Sequence, residues 1–163
     1  MLNISKIRSL SLWVFVIPLI TLNVCLIAVI LIGIFYDPYL MDYSWSKGTG
    51  IGPTFPYIDG GTSISRTARN FPTNLIFKPG MIITSLILFR YWILNKELLI
   101  KIDPENNKTF KYFFIFGILS AIFLILHAIF LGIKFDNNFY KIFRKLVLLL
   151  FIIFEILAQG YLV

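Results

Sequence analysis

Long runs of apolar residues, far longer than a soluble core needs, constrain this chain more than anything else in it. The first, Leu12 to Phe35, holds about 24 residues, enough for roughly 36 Å of helix. Three more follow at about 75–94, 112–133 and 146–163. A stretch that is apolar on every side of a helix is stable only against lipid. Hydrophobic residues make up 58% of the 163-residue chain, above the roughly 45–50% of a soluble domain. The expected fold is therefore all-α: a polytopic membrane helical bundle of about four transmembrane helices, in a single membrane domain spanning residues 1–163. A signal peptide is the rival reading of the first run. The run is too long for such an h-region, and no small-x-small cleavage pattern follows it.

The segments between the runs differ in kind. Residues 36–73 are rich in turn formers, among them Gly48, Gly50, Gly52, Gly60, Gly61, Pro38, Pro53, Pro56 and Pro72. They cannot be a spanning helix. They also carry Tyr39, Tyr43, Trp45, Phe55 and Tyr57, and disordered linkers are poor in aromatics. An ordered cap at the membrane interface, where aromatic rings are at home, is the expected structure. Residues 95–109 and 134–145 read as short charged loops. In the third run Gly117, Ala121, Ala128 and Gly132 recur at four- and seven-residue offsets. They give a smooth face on which another membrane subunit could pack closely.

Charge narrows the partners. The formal net charge is +7, but the basic residues flank the apolar runs, where they meet lipid phosphates. Membrane lipids are the expected partner and nucleic acid is not. The single cysteine, Cys25, sits inside an apolar run and can form no internal disulfide. One histidine rules out bis-histidine haem within the chain. No metal site and no cofactor are expected. The positive-inside rule is nearly balanced: with the N-terminus inside, seven of the 15 Lys and Arg lie inside and eight outside. The flank of the first span, Lys6 and Arg8 before it against Asp37 after it, favours a cytosolic N-terminus and a non-cytosolic cap.

Two constellations carry the chemistry. The first is polar residues at membrane depth, each of which needs a physical reason. Glu155 lies about nine residues into the fourth span, with Gln159 one turn on. His127 lies about six residues from the end of the third span and Lys78 a few residues into the second. All three levels are counted from the cap side, so convergence in one intramembrane cluster is expected, with Ser85 sharing a face with Lys78 and Ser120 with His127. A hydrogen bond across a helix interface is the plain alternative, and it suits His127 better than Glu155, whose unpaired carboxylate would be costlier at that depth. Lys78 could simply snorkel to the interface. The second constellation is the cap segment 62–70. Arg66 and Arg69 are three apart behind Ser63 and Ser65, so a helical turn there would join two guanidinium forks to free backbone N–H groups. Lys78 could reach the same anion, and Asp59 could help orient a polar headgroup. Nonspecific contact with anionic headgroups is the plain alternative. No triad order, HExxH motif, phosphate loop or paired-carboxylate pattern supports an enzymatic assignment.

The stretch Phe55-Pro56-Tyr57-Ile58-Asp59, then Ser63-Ile64-Ser65, then Pro72, Ile76-Phe77 and Met81, resembles a known family. It is similar to the first loop and second helix of the family holding the GPI-anchor lipid-remodelling protein of the Golgi and the damage-regulated autophagy modulators (DRAM). The resemblance covers roughly residues 12–95. The family usually has six spans, and this chain has room for about four. The resemblance implies a cytosolic N-terminus, a non-cytosolic first loop and a lipid-related role, and it supplies no catalytic residue. Richness in Ile, Lys, Asn and Phe hints at an AT-rich genome, and so at a bacterial inner membrane or an organellar membrane.

Recognition or handling of a lipid headgroup at the non-cytosolic interface is thus the leading expectation, with His127 and Glu155 as a proton relay or structural pair beneath. A non-catalytic accessory subunit of a larger membrane complex is the alternative. A proton-coupled transporter would need oligomerisation to build a path from so few helices.

Overall fold

The computed structural model describes residues 4–35, 57, 67–68, 73–104, 107–131, 133 and 138–162. Every secondary-structure element among them is a helix: α1 (Ile4–Phe35), α2 (Asn74–Ile102), α3 (Asn107–Phe130) and α4 (Asn138–Gly160). Three stretches are long and apolar enough to cross a membrane, Ile4–Ala28, Asn74–Ile102 and Phe110–Phe130. The fourth helix does not reach that standard. Lys141, Arg144, Lys145 and Glu155 make it amphipathic, whereas α1 and α3 are apolar all round.

The helices outrun the apolar runs that reveal them. Helix α1 begins eight residues before Leu12, α2 continues through the charged stretch after Leu94, and α4 starts eight residues before Leu146. The 32 residues of α1 measure about 48 Å, against roughly 30 Å of hydrocarbon. Hydropathy reads the part of a helix that lipid can cover. Charged turns such as Lys96-Glu97 or Lys141 to Lys145 remain helical beyond it. The expected loop at 134–145 is therefore helical from Asn138 onward.

Successive helices are antiparallel, and each packs chiefly on its neighbours in sequence. Helix α1 has no substantial contact with α4, so the described helices form an open row rather than a closed ring. Leu12, Phe15, Leu19, Ile20 and Val24 of α1 stay exposed, as lipid-facing residues should be. Where α1 crosses α2, Gly80 lies so close to Thr21 that a Cβ there would overlap the threonine side chain.

Two apolar clusters hold the row. One joins α2, α3 and α4 through Leu88, Trp92, Phe113, Ala121, Leu124 and Ala158. Trp92 is fully buried and lies edge-on to Phe113, with ring centroids 5.1 Å apart. Its indole lies against Gly117, where a Cβ would come within 2.5 Å of Trp92 Cδ2. Ser85 Oγ donates to the Ala121 carbonyl at 2.6 Å. The small-residue face of the third helix is thus engaged by α2 at Gly117 and Ala121. In lipid, close backbone approach of this kind supplies the packing that hydrophobic burial cannot.

The second cluster, Cys25, Ala68, Phe77 and Leu131, sits at the helix ends where the 36–73 connection lies. Here the described part of the cap meets the helices. Ala68 is buried in the cluster, Thr73 Oγ1 donates to the Thr67 carbonyl, and Cys25 Sγ lies 3.6 Å from the Thr73 carbonyl. Tyr57 donates its hydroxyl to Asn23 Oδ1 of α1 at 2.7 Å. The rest of the expected cap lies outside the described residues.

Candidate functional site

Ser120 stands 13 residues from one end of the 24-residue α3 and 10 from the other, so it marks the middle of that helix. Its hydroxyl oxygen is 2.7 Å from Glu155 Oε2 on α4 and 2.8 Å from the Gly117 carbonyl one turn back. Gln159 Nε2 donates to the other carboxyl oxygen, Oε1, at 3.1 Å. The Tyr91 phenol of α2 is within electrostatic reach of the same carboxyl. Glu155 is half-buried in the row and Gln159 exposed at its edge. The sequence causes this directly. Glu155 and Gln159 are one turn apart, so both side chains emerge on one face. Ala158 beside them is fully buried against α3 and lets the two helices approach.

The histidine expected beside Glu155 has different surroundings. Seven residues separate His127 from Ser120, about 10 Å along α3. The charge acting on His127 is the Arg144 guanidinium of α4. The structure therefore joins Glu155 to Gln159 and Ser120, and sets His127 two turns nearer the 131–138 connection. Counting depth from a shared edge treats the apolar runs as starting level. The antiparallel pairing of α3 and α4 sets the partners instead.

Arg144 is a residue that sequence reading passed over. It is half-buried, lies 5.5 Å from the Tyr140 ring, and its Nε has no hydrogen-bond partner among the described residues. Tyr140 is itself anchored, its hydroxyl donating to the Phe130 carbonyl at 2.6 Å. That carbonyl belongs to the last turn of α3, where intrahelical donors run out. Arg144 and Glu155 are eleven residues apart, close to three full turns, so they fall on one stripe of α4 together with Lys141 and Gln159. That stripe was the available signal, and reading 134–145 as loop hid it.

Lys78 is half-buried in the second turn of α2, at the same end of the row. Asp59, Ser63, Ser65, Arg66 and Arg69 lie outside the described residues. Among the described residues no three His, Cys, Asp or Glu gather in a group able to hold a metal. Comparison with known proteins finds no matching family model, no matching characterised protein and no matching solved structure.

Proposed function

We propose that this integral membrane protein binds the phosphate-bearing headgroup of an anionic lipid at the membrane face that carries the 36–73 connection. The supporting observation is Arg144. A half-buried guanidinium with an unpartnered Nε, braced by an anchored tyrosine, is a poor structural element and a good anion ligand. Lys141 and Lys145 flank it in sequence, and Lys78 enters the membrane at the same end. On this reading Arg66 and Arg69 supply further phosphate contacts from the connection, while Asp59, Ser63 and Ser65 orient the polar headgroup. Residues 12–95, with their resemblance to the GPI-lipid-remodelling and DRAM family, point to the same chemistry on the non-cytosolic side.

The experiment is a salt series. Charge-assisted bonds with bidentate geometry distinguish arginine from lysine, whereas nonspecific attraction follows total charge, at about 1 kcal/mol per basic residue near the surface. Binding of anionic lipid to purified Arg66→Lys and Arg69→Lys variants should weaken at every ionic strength, and wild-type binding should persist in part at high salt. Unchanged affinity in both variants, with binding that vanishes as salt rises, would reduce these arginines to membrane anchors.

The open row favours the second reading, an accessory subunit. Among the described residues α1 packs chiefly on α2, and α4 chiefly on α3. A partner subunit would dock on their outer faces, because the small-residue face of α3 is turned toward α2.

A further inference from the structure

We propose that Glu155 is a proton-binding site in the middle of the membrane, where its neutral carboxyl donates a hydrogen bond to Ser120. The protons available around Ser120 point to this state. Ser120 Oγ lies 2.7 Å from Glu155 Oε2 and 2.8 Å from the Gly117 carbonyl oxygen. A hydroxyl has one proton, and neither of those oxygens carries hydrogen when Glu155 is ionised. The two acceptors would then share that one proton in a three-centre bond, weaker than two separate bonds. With a proton on Oε2 the chain closes. Glu155 donates to Ser120, Ser120 donates to Gly117, and Gln159 donates to Oε1 at 3.1 Å.

The surroundings favour the same state. Glu155 is level with the middle of α3, where an uncompensated carboxylate is costly. From α2 the ionisable group within electrostatic reach is the Tyr91 phenol, which carries no positive charge. From α3 it meets Ser120, with His127 two turns away. On its own helix Gln159 is the neighbour, and Arg144 is three turns distant. Among the described residues α1 makes no substantial contact with α4. A proton is therefore the ligand that this site is built to hold. When the proton leaves, the carboxylate draws the single Ser120 hydrogen toward itself and weakens its bond to Gly117, in the turn against which Trp92 packs. Occupancy of the site is thereby coupled to the α2–α3 contact. None of this depends on the headgroup site at the membrane face.

Glutamate carboxyl signals test it directly, because the chain has only three glutamates, Glu97, Glu105 and Glu155. The full chain, carrying carboxyl-labelled glutamate in lipid bilayers, is observed by solid-state NMR while pH is varied. At neutral pH one signal of the three should be that of a protonated acid while the other two are ionised. It should disappear in Glu155→Gln, whose amide can donate to Ser120 and accept from Gln159 and so should keep the fold. Ser120→Ala should shift that signal alone. Should Glu155→Gln fail to fold, the wild-type titration and Ser120→Ala still decide. Three ionised signals at neutral pH, an acid signal that persists in folded Glu155→Gln, or one indifferent to Ser120→Ala would overturn the proposal.

Discussion

Gly117→Ala lowers the stability of the folded protein by about 1–3 kcal/mol, the usual cost of forcing one extra carbon into a packed interior. The new Cβ would lie 2.5 Å from Trp92 Cδ2, well inside contact distance. The indole cannot simply retreat. It is fully buried, with Phe113 edge-on at 5.1 Å and Tyr91 edge-on at 4.9 Å. Alanine also favours helix over glycine by up to about 1 kcal/mol, which opposes the clash and would decide the sign if the contact were soft. A double-mutant cycle separates the two effects. In a Trp92→Phe background the smaller ring leaves room, so the same Gly117→Ala change should cost little or even stabilise. Unfolding in mixed micelles titrated with SDS should show a coupling within the range of about 0.5–3 kcal/mol typical of touching residues. Additive effects would mean that Trp92 and Gly117 are not in contact.

The second large effect concerns the lipid. Anionic lipid should stabilise the wild-type protein by mass action, by about 2.7 kcal/mol when its free concentration is 100 times the dissociation constant. Each charge-assisted bond to phosphate is worth on the order of 1.5–3 kcal/mol, so Arg144→Gln should weaken affinity roughly 10- to 100-fold. At the same lipid concentration the stabilisation should then shrink to about 0.4–1.4 kcal/mol. Arg144→Lys should lose nearly as much. Lysine keeps the charge but presents no fork and cannot lie flat against Tyr140. A zwitterionic lipid should give no such gain to any variant. Equal stabilisation of wild type and Arg144→Gln by anionic lipid would remove Arg144 from the site.

How much of this was legible in the chain divides along physical lines. Four helices could be read from four apolar runs, because in lipid the hydrophobic length of a helix is nearly its definition. Their ends could not, since turns such as Asn138 to Lys145 are helical but too polar for hydrocarbon. Neither could the open row: nothing in the composition of α1 says whether α4 lies against it. The smooth face of α3 was visible as Gly117, Ala121 and Ala128, but its occupant was not. That depends on Trp92 and Ser85 arriving from another helix at the right level. Glu155 stood out because a carboxylate in an apolar run is rare. Its partner, Ser120, was set by antiparallel register, which spacing within one helix cannot supply. Arg144 was masked by its two neighbours, Lys141 and Lys145, with which it reads as an ordinary basic flank.

Glu155 lies at mid-depth only if α4 crosses the membrane. The 23 residues of α4 would span about 35 Å, and from Leu146 to Leu157 only Glu155 is charged. Labelling single cysteines with a membrane-impermeant thiol reagent in vesicles of uniform orientation tests this most directly. Cys25 is the only native cysteine, so Cys25→Ser provides the background. Lys47→Cys and Asn137→Cys should be labelled from one side of the membrane, and Asn106→Cys and Val163→Cys from the other. Labelling of Val163→Cys from the same side as Asn137→Cys would show that α4 lies along the membrane surface, and the mid-membrane carboxyl would go with it.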